Sequence, residues 1–334
     1  MSELASESLN TAPTAAPTDR LRRGRVGSTA FTPAATGVLG SESKDASAAR
    51  VAVARPRSRR KQYVRWFFNL VAVAIAVVWI FPIYWMLLVS MTPIGSIYSI
   101  HPQLLPSGVT WFAFSQVLHD PDFWTAFRNS VIVTFSTVVI STFVGFLAAT
   151  AIARFRFRFR NSAIVLIMIV QMVPLIALIV PLFYIYSKIG LSESLFGLVI
   201  GMLALSLPFC IWTLRGFVAG VPADLEEAAM VDGCTRVGAF FRIILPLVLP
   251  GIVSTAIYTL IQTWTEFQLT NFMISDQNHF TLPLYLNHFL SANQQILYNE
   301  IMATALLMAA PIVILFLLVQ RQVASGLTAG AVKG

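Results

Sequence analysis

The sequence predicts an all-α integral membrane protein with six transmembrane helices. Of its 334 residues, 57% are hydrophobic and only 11% are charged, whereas a soluble domain typically has about 25% charged residues. The apolar residues also cluster into segments that are long enough to cross a bilayer as helices, which requires about 20 residues each. These segments lie at residues 66–90, 129–152, 162–184, 193–214, 249–273 and 300–320.

A polar tail precedes the first span. Residues 1–62 are rich in Ala, Ser, Thr, Pro and Arg, and this composition is typical of a disordered segment. They lack the apolar core of a secretory signal, so we expect the tail to stay attached. The run RPRSRRK at 55–61 is suited to contact with anionic membrane lipid. We therefore predict a disordered, basic cytoplasmic tail at 1–62, followed by a six-span domain at 63–334.

The basic residues predict the orientation of the spans. Twelve of the 23 Lys and Arg residues lie at 1–65, four more lie at 154–160, and others lie in the segment 215–248 and near the C-terminus. The opposite face has only Arg128 and Lys188. By the positive-inside rule, both termini and residues 215–248 face the cytoplasm of a multi-pass plasma membrane protein. This pattern explains the net charge of +8 without nucleic acid. The loops predicted on the other face are 91–128, 185–192 and 274–299.

Two local patterns refine this picture. Arg and Phe alternate at 154–160, in a short turn between spans where Phe can sit in the membrane interface while Arg reaches lipid phosphates.

Four prolines fall inside predicted spans: Pro82, Pro174, Pro181 and Pro208. Proline in a helix removes a hydrogen bond and usually bends the helix. Bent helices suit a protein that opens alternately to two sides, although proline is common in membrane helices generally.

Three residues are candidates for the lining of a transport pathway: Gln171, Trp264 and Glu266. Glu266 is the only charged residue well inside a predicted span, in the outer half of the fifth, and a charge at membrane depth is costly and often functional. Two interpretations stay open: a role in a pathway or packing network, or a carboxylate that reaches outward to water. Gln171 in the third span has a similar ambiguity, because a hydrogen bond between helices is the commoner use of such a residue.

The sequence lacks the usual features of an enzyme. No segment matches GxxxxGK[ST], so no P-loop binds a nucleotide. The four histidines lie in predicted loops without metal-ligand spacing, and the two cysteines, Cys210 and Cys234, fit neither a disulfide framework nor a metal site. No pairing of a nucleophile with a base stands out. We therefore predict a non-catalytic protein without a cofactor or metal, whose energy source lies elsewhere.

The most informative segment is residues 222–251, PADLEEAAMVDGCTRVGAFFRIILPLVLPG. Good helix formers at 226–230 precede Asp232-Gly233, where glycine can supply a turn with positive φ. A second amphipathic piece is predicted at 236–245, before Pro246 ends it. The pattern predicts a compact helix–turn–helix that docks on a partner. Asp232 is predicted either to cap the second helix or to pair with a basic residue of that partner.

This segment resembles the characteristic loop of ATP-binding-cassette importer permeases. The pattern of that loop is EAA-x2-DGA-x5-F-x2-I-x-LPL-x2-P, where x is any residue and the number gives how many. The chain departs from the pattern only at Cys234, where the pattern has Ala. QMVP, PLF, LPFCIWTLRGF and W-x-EF also resemble the family, and the ending QRQVASGLTAGAVKG resembles that of the shorter permease in maltose-type carbohydrate importers. The matching loop residues are Glu227, Ala228, Ala229, Asp232, Gly233, Phe240, Ile243, Leu245, Pro246, Leu247 and Pro250.

The resemblance implies the type I importer permease fold and a set of partners. These partners are a second permease, two ATPase subunits that bind the ATP, an extracytoplasmic solute-binding protein and a sugar. ATP-driven closure of the ATPases would move the loop and turn the permeases outward-facing. The residues implied in coupling to the ATPase are Glu226, Glu227, Ala228, Ala229, Asp232, Gly233, Phe240, Leu245 and Pro246. The tail residues implied to insert between the ATPases are Gly326, Leu327, Thr328, Ala329 and Gly330.

Two other hypotheses stay open at this point. An ion-coupled secondary transporter would act alone and would need membrane-embedded carboxylates or inverted repeats, of which the sequence offers only Glu266. A membrane scaffold without transport would not depend on an ATPase and would give no reason for the docking loop. The family pattern predicts neither the particular sugar nor a role for the tail at 1–62.

Overall fold

The computed structural model describes residues 59–97, 104–105, 108–292 and 297–331. Within these ranges all regular structure is helical and no strand forms. The features below belong to the unit Trp66–Gly334, apart from the first residues of α1. The predicted disordered tail lies almost wholly outside the described residues.

The helices follow one another along the chain with short connections. They are α1 (Arg59–Ser90), α2 (Ile94–Ile97), α3 (Phe112–His119), α4 (Pro121–Arg154), α5 (Arg160–Met172), α6 (Leu175–Ile189), α7 (Leu195–Ala219), α8 (Ala223–Val231), α9 (Arg236–Ala239), a π-helix (Phe240–Ile244), α10 (Leu245–Trp264), α11 (Gln268–Met273), a 3-10 turn (Gln277–His279), α12 (Leu282–Ala292) and α13 (Tyr298–Ala331). The predicted loops 91–128 and 274–299 therefore contain helices.

Five helical stretches in the described part of the chain are long and apolar enough to cross a membrane. Four lie in α1, α4, α7 and α13, and the fifth is the continuous stretch Arg236–Trp264. A sixth span is obtained if the bent pair formed by α5 and α6 is counted as one. With that count the structure agrees with the six predicted spans.

The third predicted span is broken rather than gently bent. α5 and α6 meet at an angle of 97° at Val173-Pro174. Val173 has extended backbone angles (φ −74°, ψ 123°), as expected for a residue that precedes proline. Pro174 stands at the N-cap of α6. Pro181, by contrast, lies inside α6 without a break of the helix, so the predicted bend arises at only one of the two prolines of this span.

The fifth span begins and ends earlier than predicted. Helical structure is continuous from Arg236 through the π-helix into α10, so Pro246 does not end the second piece of the loop. Pro246 lies just after the π-helical turn, at one of the first positions of α10, and a π-helical turn accommodates a local change in the ladder of hydrogen bonds. At the other end α10 stops at Trp264, so Glu266 lies between α10 and α11 rather than within a span.

The core forms where α4 packs against α7 and α10. Small residues allow this close approach: a Cβ atom on Gly145 of α4 would lie 2.8 Å from Cβ of Cys210 on α7. Likewise, a Cβ atom on Gly251 of α10 would lie 2.3 Å from the ring of Phe217. In contrast, α1 exposes most of its apolar side chains between Trp66 and Ile83.

Polar contacts fix the chain at the end of the bundle opposite α8. The amide Nδ2 of Asn129 donates to the carbonyl oxygens of Asn278 (2.8 Å) and Phe280 (3.0 Å). Glu193, which has a positive φ of 57°, accepts hydrogen bonds from the backbone N–H groups of Ser275 and Asp276. Partial burial alone would raise the pKa of the Glu193 carboxyl, but these N–H groups outweigh it and hold the pKa below its ordinary value.

Candidate coupling surface and cavity

The helix α8 projects as a short amphipathic element between α7 and α9. Asp224 and Glu226 lie in its first turn, where their negative charges interact favourably with the positive end of the helix dipole. Ala229 is only 9% exposed, whereas Glu227 and Ala228 are exposed. The helix therefore has one face against the bundle and one face free for a partner.

A tight turn follows α8. Asp232 ends the helix, and Gly233 adopts a φ of 90°, a conformation that favours glycine. The N–H of Cys234 then donates to the carbonyl of Ala229 (2.9 Å). The cap of α9 is Thr235, whose hydroxyl accepts from the N–H of Gly238 (3.1 Å). The prediction that Asp232 caps this helix is therefore wrong. Asp232 is exposed instead.

Glu226 is bound within the chain. Its Oε1 lies 2.6 Å from Nε of Arg154, the last residue of α4, and both side chains are mostly buried (19% and 15% exposed). The same guanidinium donates from an Nη atom to the carbonyl oxygen of Val221 (2.8 Å). The sequence assigns Glu226 to the docking surface, but the structure directs it inward, where it ties α8 to the end of α4.

The loop pattern also includes residues that anchor the loop. The ring of Phe240 packs 5.1 Å from that of Phe146 on α4, and both belong to an apolar cluster with Leu245. Phe240 and Leu245 are half-buried, whereas Pro246 is exposed. Phe240 and Leu245 therefore pack into the helix bundle rather than presenting themselves to a partner.

The loop also exposes apolar side chains. Val231 is 87% exposed, Val237 66% and Leu225 45%, and the exposed Ala228 lies on the same short helix as Leu225. We call these four residues the apolar tip. Exposed apolar side chains on a short element that also exposes charged ones are compatible with a protein-interaction site.

A second feature is a cavity of about 220 Å³ between the α5–α6 break, α7 and α10. It brings together two of the three candidate pathway residues, Gln171 and Glu266. The residues that line it are Gln171, Leu175, Met202, Leu205, Ser206, Phe209, Tyr258, Thr259, Gln262, Thr263 and Glu266. The break at Val173-Pro174 forms one wall, because it turns the chain between Gln171 and Leu175.

Glu266 also has a structural role beside this cavity. Its Oε1 accepts from the N–H of Leu269 (2.6 Å), and its Oε2 accepts from the N–H and hydroxyl of Thr270 (both 3.2 Å). The carboxylate therefore satisfies the free N–H groups at the beginning of α11. This supports the packing-network interpretation and not the interpretation that it reaches outward to water.

Trp264 does not line this cavity. It is 4% exposed, its ring packs 6.0 Å from that of Phe127, and its indole N–H donates to the carbonyl of Met308 (3.0 Å). The side chain joins α10 to α4 and α13. The structure therefore assigns Trp264 to packing and does not support the prediction that it faces a pathway.

Comparison with known protein families places these features in context. Residues 141–328, which are more than half of the chain, match the model of the binding-protein-dependent transport system inner membrane component. The chain belongs to this family of transport permeases. The matched region includes the apolar tip, the cavity and most of α13, so the permease assignment covers both features described above.

Alignments with similar permeases extend over most of this chain. The diacetylchitobiose uptake system permease protein DasC of Streptomyces coelicolor is 40% identical over 276 residues, which are 83% of this chain and 100% of DasC. The trehalose transport system permease protein SugB of Mycobacterium tuberculosis is 34% identical over 254 residues, which are 76% of this chain and 92% of SugB.

A solved structure agrees with the fold of the permease. A chain from the crystal structure of a bacterial ABC transporter, involved in the import of the acidic polysaccharide alginate, aligns with a TM-score of 0.66. The alignment covers 78% of this chain and 97% of the other, at 22% sequence identity. The predicted all-α type I importer permease fold is thereby confirmed.

Two groups of residues in the permease escape prediction from the sequence. Arg154 belongs to the alternating Arg-Phe segment, and nothing in that pattern distinguishes an arginine in an ion pair from one that reaches lipid. Tyr258 and Gln262 lie four residues apart near the end of α10, a spacing that brings side chains to one helix face. That spacing could have pointed to the cavity.

Proposed function

We propose that this permease is one of two membrane subunits of an ATP-driven carbohydrate importer. The partners are a second permease, two ATPase subunits that bind and hydrolyse the ATP, and an extracytoplasmic binding protein that delivers the sugar. The permease itself catalyses no reaction and needs no cofactor. Relatives named for uptake of diacetylchitobiose and trehalose support a neutral oligosaccharide as the substrate.

The observation that carries this proposal is the apolar tip, most of which lies on α8. The tip is exposed in the permease, and α8 is tied to α4 through Glu226 and Arg154. The same segment of the chain contains the loop pattern of ATPase-coupled permeases. Insertion of the tip into a cleft of an ATPase would transmit movement of the ATPase to the spans. Glu227, Asp232 and Ala228 are exposed on this surface and are the proposed contacts.

The binding protein and the orientation are further parts of the proposal. A related transporter has been crystallised in complex with an alginate pentasaccharide-bound periplasmic protein, which supports a similar delivery step here. The basic residues at 1–65, 154–160 and 215–248 support a cytoplasmic position for the tip and both termini. The binding protein would then act at the opposite end of the bundle.

The tail of α13 is a second proposed contact with the ATPases. Backbone helix continues to Ala331, beyond the apolar stretch that ends at Gln320. This supports a helix end that extends past the membrane. It would lie on the cytoplasmic side, to which the basic residues also assign α8. Residues 326–330, Gly-Leu-Thr-Ala-Gly, would lie between the two ATPases.

The test is purification of the tagged permease in mild detergent, followed by measurement of ATP hydrolysis with trehalose or diacetylchitobiose and the binding protein. We expect a P-loop ATPase and a second permease to co-purify, with ATP hydrolysis stimulated by one of the sugars. A permease that purifies alone and transports alone after reconstitution would contradict the proposal.

A variant at the turn sharpens this test. Gly233→Val places a β-branched residue at a φ of 90°, which costs about 1–2 kcal/mol in the left-handed region, although no atom crowds the position. We expect loss of stimulated ATP hydrolysis with membrane insertion intact. The matched control is Gly216→Ala in α7, which also has open space around it but ordinary helical backbone. Full coupling in Gly233→Val would argue against the role of this turn.

A further inference from the structure

We propose that the cavity between the α5–α6 break, α7 and α10 is a binding subsite for a single neutral sugar ring on this permease. The inference rests on the proposed function, because it assumes that a carbohydrate passes along this surface. It goes further by assigning direct contact with the sugar to this chain and by naming the residues that make it. The evidence is the combination of aromatic, amide, hydroxyl and charged groups in the lining.

The first element of the subsite is an aromatic platform. The rings of Phe209 on α7 and Tyr258 on α10 stack with centroids 4.0 Å apart and an angle of 29° between their planes. Tyr258 is 44% exposed, so much of its side chain remains open to a ligand. A pyranose ring has apolar C–H faces and hydroxyl groups around its edge, and an aromatic face can cover the apolar side of such a ring.

The second element is a set of uncharged hydrogen-bonding groups around the platform. Nε2 of Gln262 donates to the hydroxyl oxygen of Tyr258 (2.9 Å), which leaves the amide oxygen of Gln262 and the phenolic O–H for a ligand. Ser206 donates to the carbonyl of Met202 (2.6 Å) and keeps acceptor capacity. Gln171 contributes a further amide from α5. Groups that both donate and accept match sugar hydroxyls, which do the same.

The third element is the sign of the charge. The lining contains no Lys, Arg or His, and its only charged residue is Glu266. A uronic acid would bring its carboxylate close to another carboxylate without a cation to compensate, and like charges repel. The lining therefore selects neutral sugars over acidic ones.

The size of the cavity sets the length of the ligand segment. At about 220 Å³ it is smaller than the roughly 300–1,000 Å³ of a site that encloses a drug-sized ligand. It therefore has room for one ring of an oligosaccharide, and the remaining rings would lie along the rest of the pathway. The α5–α6 break forms one wall, so the position of Gln171 depends on the angle of that break.

The main experiment measures uptake by proteoliposomes that contain the full transporter complex, with radiolabelled trehalose and diacetylchitobiose as probes. We expect Tyr258→Ala to raise the KM of uptake about tenfold. The substitution removes the aromatic contact and the hydrogen bonds of the hydroxyl group, and their combined loss weakens binding by about that factor. Tyr258→Phe keeps the platform and should stay within about threefold of wild type. The matched control is Tyr184→Ala on α6, a tyrosine that is 60% exposed and lies away from the cavity, and its KM should be unchanged.

A second measurement tests the selectivity for neutral sugars. Digalacturonate should not inhibit uptake of the neutral probe by the wild-type complex. Glu266→Gln removes the charge and retains a carbonyl oxygen for the first N–H groups of α11, so digalacturonate should become an inhibitor. Because the readout is the ratio of inhibition by acidic and neutral sugars, a general loss of stability does not move it.

The outcomes separate the subsite from the proposed function. If the wild-type complex takes up a neutral sugar and Tyr258→Ala does so with unchanged KM, the subsite is overturned and the proposed function stands. Loss of the second permease from purified Tyr258→Ala would also overturn it, since it would indicate that the partner fills the cavity. If the wild-type complex responds to no neutral sugar, both proposals fail.

Discussion

The contact between Glu226 and Arg154 shows that a residue assigned to the docking surface from the sequence is bound within the chain instead. Both side chains are mostly buried, so removal of one leaves the other with a poorly compensated charge. Breaking such a pair costs more than breaking an exposed pair, whose contribution is typically about 0–1 kcal/mol. The position of α8 is therefore determined partly by this contact.

Glu226→Gln should lower the thermal unfolding midpoint of the purified complex and weaken sugar-stimulated ATP hydrolysis. The expected loss of folding free energy is about 1–3 kcal/mol, because the pair is largely but not fully buried. Thermal unfolding in detergent and ATPase assays would measure the two effects. The control is Asp224→Asn, an exposed acidic residue on the same helix. Equal stability of the two variants would contradict the role of the ion pair.

At the scale of elements, periodicity and composition predict where helices exist but not where they break. The six apolar segments are present in the structure as helices. The stops at Val173-Pro174 and after Trp264 depend on local chemistry within long apolar runs. The first follows from the restriction that proline places on the preceding residue, and the second is accompanied by the capping of α11 by Glu266. Hydrophobicity does not distinguish these breaks from continuous spans.

Pro174→Ala should reduce the angle between α5 and α6, because it removes the restriction on Val173. Spin labels at positions 162 and 187 report this angle after the two native cysteines are replaced by alanine. In one continuous helix the labelled residues would be about 38 Å apart, and the 97° break brings them closer. We expect a longer distance in Pro174→Ala. Pro181→Ala, within α6, should leave the distance unchanged, and a change of similar size there would argue against the assignment of the break to Pro174.

For the whole molecule, the loop pattern and the apolar segments were sufficient to predict the family and the fold. The loop pattern depends on local spacing, which a sequence displays directly. The inward direction of Glu226, the buried position of Trp264 and the stacking of Phe209 on Tyr258 depend on contacts between distant helices. A single sequence contains no direct record of such contacts, so the site was predicted only in part.

The end of α13 provides a prediction at the level of the assembly. Deletion of residues 325–334 should reduce stimulated ATP hydrolysis while membrane insertion and recovery of the second permease are retained, since the apolar stretch ends at Gln320. ATPase assays and quantification of the purified subunits would measure this. Deletion of 332–334 alone is the control, because it leaves the segment 326–330 in place. Full stimulation after the longer deletion would show that the tail is not needed for coupling.

The connection of α8 to α4 has a mechanical consequence. Arg154 is the last residue of a helix of 34 residues, which is about 50 Å long. Asn129 and Ser130, which lie about 37 Å from Arg154 along the axis of this helix, contact the chain at residues 278–282. A tilt applied at one end of a stiff rod of this length appears as a displacement of several ångströms at the other. α4 can therefore act as a lever arm, through which a small push on the loop reaches the far face of the membrane without unfolding any intervening segment.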